Sequence, residues 1–212
     1  MPIPQKERKL EILLVVLTGL LKFVLMDWLN LRIFYITAAI LFWAGYVYFK
    51  RKKYPDIMSE WGFHKAYFLK SMIVILPFAL ATLVGILVYG YLNHAEFLNW
   101  HVIPVLALYP LWGLIQQFMM VGLVAGNLEK LKDMRTTNFQ IILLSSFVFA
   151  MVHYPSLPLM GYAFVMEIIF VRVYLKWPNL WTLGIYHGII SALFIFFVLG
   201  RDLWAELWTV FS

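Results

Sequence analysis

The sequence has no cysteine in its 212 residues, which excludes a disulfide framework, a thiolate nucleophile and a thiolate metal site. Charge is also scarce. Asp, Glu, Lys and Arg make up 13% of the chain, against roughly 25% in a soluble globular domain. There is no internal repeat and no low-complexity linker, and the length suits a single bundle. The alternating polar and apolar pattern of a membrane β-barrel strand is absent as well. What is plentiful is hydrophobicity: 63% of residues are apolar and the mean hydropathy is +0.82. Backbone polar groups in hydrocarbon are satisfied only by helices or closed barrels. An all-α, polytopic transmembrane bundle of about seven to eight helices is therefore expected.

Seven apolar runs fall near residues 10–27, 31–49, 71–91, 102–126, 139–154, 158–176 and 179–199. Each approaches the roughly 20 residues that cross a bilayer as a helix, the fifth being the shortest. The opening, "MPIPQKERKLEILLVVLTGLLKF", has the basic-then-apolar order of a signal peptide. It lacks a small-residue cleavage site, and Lys22 and Asp27 follow, so it is expected to remain as an uncleaved first span.

The basic residues set the orientation. With the N-terminus in the cytoplasm, Lys6, Arg8 and Lys9 lie inside, as do Lys50, Arg51, Lys52, Lys53, Lys65 and Lys70 after the second run. Lys130, Lys132 and Arg135 follow the fourth run, and Arg172 and Lys176 end the sixth. These are fourteen of the seventeen basic residues; Arg32 and Arg201 fall outside and Lys22 lies within the first run. The asymmetry predicts a multi-pass protein of the cell (plasma or inner) membrane with a cytoplasmic N-terminus. The net charge of +6 is therefore no nucleic-acid footprint, because the cations lie between apolar runs; the first partner expected is membrane lipid. Trp28, Trp61, Trp100, Trp177, Trp181, Trp204 and Trp208 sit near run boundaries and read as an interfacial belt. "DIMSEWGFHKAYF" reads as a surface or interfacial connector. The tail "RDLWAELWTVF" puts Leu203, Trp204, Leu207, Trp208 and Phe211 on one face of an interfacial helix.

Ionisable and amide groups inside spans are costly and call for a reason. His64, His94 and His101 fall in connectors or at boundaries and read as solvated surface. His153 and His187 belong to spans. Gln116 and Gln117 lie side by side in "WGLIQQFMMVGLVAG", and of eleven acidic residues only Glu167 lies near the middle of a run. At about 1.5 Å per residue, Gln116, Glu167, His187 and His153 lie roughly 15, 14, 12 and 21 Å from the inner ends of their spans, which allows one buried site in the inner half of the bilayer. A buried carboxylate beside histidines is a candidate general base. Plainer readings stand beside it. The glutamines serve equally as interhelical hydrogen-bond glue, and Glu167 as the partner of Arg172 or Lys22 in a structural ion pair.

The order and spacing of these groups resemble the CPBP family, the CAAX-protease and bacteriocin-processing (ABI) intramembrane proteases. Their signature is Glu-Glu-x-x-x-Arg-Gly on one span, Phe-x-x-x-His on the next and His-x-x-x-Asn on a later one. "QQFMMVG", from Gln116 to Gly122, stands at the first motif. "FAMVHYPSLPLM" carries Phe149-x-x-x-His153, and "YLKWPNLWTLGIYHGIIS" matches the third motif around His187. The resemblance covers about residues 100–195. It implies a CPBP-like core over 100–200, after N-terminal transmembrane helices and a cytoplasmic connector in 1–99 and before an interfacial helix in 201–212. It also implies an intramembrane endopeptidase whose glutamate and two histidines activate water against a membrane-associated or lipidated peptide, with no cofactor.

The departures fall on the chemistry. Gln116 and Gln117 replace both glutamates, Val121 the arginine and Ser191 the last asparagine. A glutamine amide accepts no proton at neutral pH, whereas Ser191 can still donate a hydrogen bond. Two readings follow. In one, the acid has migrated to Glu167, so that His153, His187, Glu167, Gln116 and Gln117 form the catalytic set, with Ser191 and Phe149 stabilising or orienting the oxyanion. In the other, the chain is an inactive pseudoprotease that binds or regulates a membrane partner. A Zn²⁺ ion held by the two histidines and the carboxylate is the less favoured variant, because no HExxH helix is present. A transporter is less favoured too, because the intramembrane polar groups crowd into the second half while Pro77 and Pro104 mark no path.

Overall fold

A computed structural model describes residues 3–95 and 99–209, and every regular element among them is helical. Helix α1 (Gln5–Leu21) continues as a π-helical stretch, Lys22–Trp28. It is followed by α2 (Arg32–Lys53), the one-turn α3 (Ile57–Glu60) and α4 (Phe68–Leu92). Helix α5 spans Val102–Lys130 and contains a π-helical stretch, Phe118–Ala125. Helices α6 (Asn138–Met151), α7 (Leu157–Lys176), α8 (Leu180–Phe197) and the short α9 (Leu203–Thr209) complete the chain. Five helices, α2, α4, α5, α7 and α8, are long and apolar enough to cross a membrane; α6 is apolar but shorter. The helices follow the seven apolar runs closely because each run ends where charge, proline or a cap begins. The capping box of Thr137 and Gln140, for example, fixes the start of α6.

Helix α8 is the most buried element, and its contact with α5 brings two sequence motifs together. Gly113 of α5 faces Gly184 and Gly188 of α8 so closely that a Cβ on Gly188 would lie 2.3 Å from Pro110 Cα, and one on Gly113 would lie 2.7 Å from Gly188 N. Small residues at a membrane helix contact permit backbone approach of this kind. Gln116 and Gln117 are thereby set one turn from Gly113 and beside His187.

Side-chain bonds distinguish the two ends of the bundle. At one end the N-terminus, the α2–α4 connector and the end of α5 meet. Arg8 donates to Asn127 Oδ1 (2.9 Å) and Glu60 Oε1 (2.7 Å), and Asn127 donates to Glu11 Oε2 (2.6 Å). Lys130 pairs with Glu60 (3.1 Å). The turn between α7 and α8 lies at this same end. Asn179 caps α8 by accepting from Thr182 N (3.1 Å) and donates to the carbonyls of His64 (2.7 Å) and Ala66 (3.0 Å). Losing a cap and leaving two carbonyls without this donor is expected to cost about 2 kcal/mol in Asn179→Ala, read as thermal unfolding in detergent. At the other end Lys22 pairs with Asp27 (2.6 Å) and donates to Tyr154 O (3.2 Å), while His101 pairs with Asp202.

Two expectations are corrected. Trp61 is no belt residue: it is 1% exposed and packs edge-on against Phe118 at 5.0 Å. The connector around it is likewise built into the bundle through Ile57 and Trp61. Trp28, Trp100, Trp181 and Trp208 are exposed, as a belt requires. Glu11 is a second fully buried acid besides Glu167; its position at the start of the first apolar run disguised it. On the tail helix, Leu207 and Trp208 are exposed and Leu203 and Trp204 half-buried, while Phe211 lies outside the described residues.

Glu7, which precedes the first apolar run, is linked to pH. Partial burial pushes its carboxyl up, but hydrogen bonds from Lys50, Lys53 (2.7 Å) and Tyr54 (2.8 Å) outweigh this and hold it at about 2, below its ordinary 4.5. A carboxylate with a lowered folded pKa stabilises the fold fully above its unfolded value and loses that contribution as pH falls toward the folded one. The melting temperature in detergent is expected to fall between pH 4.5 and about 2, and to fall less steeply in Glu7→Gln.

Candidate active site

The site sits where α5, α6, α7 and α8 meet, around a cavity of about 150 Å³. Helical periodicity decides which side chains line it. Tyr109, Trp112 and Gln116 of α5, Leu159, Tyr162 and Met166 of α7, and His187, Ser191 and Ile195 of α8 follow the three- and four-residue spacing of single helix faces. Phe149 and His153, from the end of α6, complete the wall, and Arg201 and Leu203 line the far end.

The two glutamines are not equivalent. Gln116 is half-buried on the cavity wall. Gln117 is turned about 100° from it, fully buried between α7 and α8, and its amide nitrogen donates to Glu167 Oε2 (2.8 Å) and His187 Nδ1 (2.9 Å). Gln117 is therefore not placed to touch a substrate. Glu167 does not line the cavity either. It follows Met166 by one residue, so its carboxyl points at Gln117 and reaches His187 through that amide. Among the described residues Glu167 forms no salt bridge, with Arg172, Lys22 or any other cation. Its Oε1 and Gln117 Oε1 have no hydrogen-bond partner.

The two histidines carry complementary protons. His153 Nδ1 lies 2.8 Å from the carbonyl of Phe149, which can only accept, so Nδ1 carries the hydrogen and Nε2 is left with a lone pair. His187 Nδ1 accepts from Gln117, so its hydrogen sits on Nε2. Phe149 stands between the rings, 4.9 Å from His153 and 5.5 Å from His187, both edge-on. It spaces one acceptor and one donor along the same wall.

Tyr162 is the member that sequence reasoning missed. Its hydroxyl lies 3.3 Å from Ser191 Oγ and its ring stacks on Phe194 at 4.2 Å. The signal was a phenol in the apolar run of α7, one helical turn before Met166. Ser191 bonds to Tyr162 rather than to His187. From Gln116 and His187 the cavity runs along α5, α7 and α8 toward Arg201 and Leu203, away from the end that holds Asn179. Among the described residues no group of three or more His, Asp or Glu side chains converges to hold a metal ion.

Residues 97–193 match the family model described as Rce1-like, type II CAAX prenyl endopeptidase Rce1-like. This interval contains every cavity-lining residue named above except Ile195, Arg201 and Leu203. No curated protein and no solved structure matches the chain.

Proposed function

We propose that the protein is an intramembrane endopeptidase that hydrolyses a peptide bond of a membrane-associated or lipidated peptide, a reading supported by the match of residues 97–193 to the CAAX prenyl endopeptidase family model. The observation that carries this reading is that two histidines of one cavity have unlike Nδ1 partners, the Phe149 carbonyl for His153 and the Gln117 amide nitrogen for His187, which assigns opposite tautomers to them. Water in the cavity gives a proton to His153 Nε2 as its oxygen attacks the peptide carbonyl carbon. The oxyanion that forms accepts from His187 Nε2–H, with the Ser191 and Tyr162 hydroxyls as further donors. Collapse breaks the C–N bond, and His153 returns the proton to the leaving amine. Gln116, on the wall, orients the carbonyl or the water. Glu167 is a positioning residue that acts through Gln117, keeping the amide hydrogens directed at His187 Nδ1. We further place residues 1–99 as support for this core, and the chain in the cell membrane with its N-terminus in the cytoplasm.

One observation favours a second reading. Glu167 has no contact with the cavity, so no carboxylate is available to water and the pocket is able to bind a peptide without cutting it. Purified protein in liposomes, given a pool of membrane-anchored leader and C-terminal peptides, separates the two. Hydrolysis predicts cleavage that disappears in His153→Ala and in His187→Ala. Peptide that is retained but left uncut by the folded wild type supports the pseudoprotease.

A further inference from the structure

Two features of the fold bear together on the side of the membrane from which the cavity is reached. The first is charge. The bonds of Arg8, Glu60, Lys130 and Asn179 gather the N-terminus, the α2–α4 connector, the end of α5 and the α7–α8 turn at one end of the bundle. The fourteen cations counted inside belong to these segments. Lys22, Arg32 and Arg201 are left for the other end. A bias of this size marks the cation-rich end as cytoplasmic.

The second feature is the course of the cavity. Its polar floor is formed by Gln116, His153 and His187, and its far end by Ile195, Arg201 and Leu203. Ile195 and Arg201 follow His187 toward the outer end of α8, and Arg201 is exposed. Tyr109 of α5 and Leu159 of α7 also lie near the outer ends of their helices. In the cytoplasmic direction the floor is backed by Gln117 and Glu167, both fully buried, and by the buried π-helical stretch of α5.

We propose that the cavity is reached from the extracytoplasmic face, so that its peptide is a membrane-anchored segment presented at the outer leaflet. The occupant identified by this geometry has an apolar anchor in the bilayer and a cleavable stretch outside the cytoplasm. The substrate class rests on the endopeptidase reading above; the sidedness does not. The cavity of about 150 Å³ is smaller than the roughly 300–1,000 Å³ of a typical ligand site, so entry of a peptide widens it at the Arg201 end.

The natural absence of cysteine makes the test direct. Single cysteines are introduced by Arg135→Cys at the cation-rich end, by Arg201→Cys and Leu207→Cys at the other, and in the cavity by Ser191→Cys and by Ala163→Cys, Ala163 of α7 being a further lining residue. Each variant is treated in bacterial spheroplasts with a small membrane-impermeant methanethiosulfonate, before and after permeabilisation. Arg201→Cys, Leu207→Cys and at least one cavity cysteine are expected to react in intact spheroplasts at least tenfold faster than Arg135→Cys, which reacts only on permeabilisation. Cavity cysteines that react only after permeabilisation, or in neither condition, overturn the proposal, as does labelling of Arg135→Cys in intact spheroplasts. Labelling needs no turnover. A chain labelled as expected that cleaves no peptide loses the protease reading and keeps the sidedness.

Discussion

Replacing His153 by glutamine is expected to lower the rate of peptide cleavage by about 10²–10⁴-fold, the range contributed by a positioned general base. The fold should survive, because Phe149 O loses one partner at a half-buried position. Glu167→Gln is expected to act more weakly, by about 10–100-fold, as removal of a carboxylate that orients a functional histidine through an intermediary does. Without a carboxylate to attract its hydrogens, the Gln117 amide is free to turn and offer Oε1 to His187 Nδ1. The ring proton then moves to Nδ1 and the oxyanion loses its donor. The double variant Gln117→Glu/Glu167→Gln tests this. It places an acceptor-only carboxylate in the same triplet, 2.9 Å from His187 Nδ1 where Gln117 Nε2 now lies, which likewise draws the ring proton to Nδ1, so no recovery over Glu167→Gln is expected. The melting temperatures of all three variants should stay close to wild type. Glu167→Gln with full activity, alongside an inactive His153→Gln, would show that the buried acid has no part in the chemistry.

The triplet also explains why the sequence was only partly informative here. The mid-span position of Glu167 and the glutamines at the first motif were visible, and both pointed to one buried site. Whether Glu167 faced the histidines was not, since it depends on one residue of helix phase. Met166 faces the cavity and Glu167 faces Gln117. The apolar runs located the long helices because solvation by lipid dictates them residue by residue. Trp61 was misassigned for the complementary reason: a connector position next to a membrane run looks interfacial unless packing against Phe118 is known. The buried Arg8–Asn127–Glu11 network joins residues more than a hundred positions apart, and no local pattern announces it.

The second large effect concerns packing. Gly188→Leu is expected to give no folded protein, and Gly188→Ala to lose about 3 kcal/mol, the upper part of the usual cost of overpacking. A Cβ at this position would meet Pro110 Cα at 2.3 Å and Pro110 N at 2.4 Å, both backbone atoms that no rotamer change can move. Relief requires α5 and α8 to separate, which pulls Gln117 away from His187. Gly85→Ala and Gly161→Ala are the controls, because nothing lies within 4 Å of a Cβ at either position. They should be neutral or stabilising, by up to about 1 kcal/mol from helix propensity. Detergent melting curves of the four variants measure the contrast.

The Asn179 cap has a mechanical meaning. It ties the turn between α7 and α8 to the 64–66 backbone through two carbonyls, at the end of the bundle farthest from Arg201. Helices α5 and α8 are locked together by backbone contact, and α6 packs along α7. The cavity lies between these two pairs. They behave as the jaws of tweezers whose spring is the 177–179 turn. A small angular change at that pinned turn grows along the ~30 Å length of a 20-residue helix, so a rotation of a few degrees parts the tips while His187 near the middle of α8 barely shifts. The Gln117–His187 bond lies within one jaw, whereas the Gln117–Glu167 bond joins the two, so the carboxylate that orients the amide also limits how far they part.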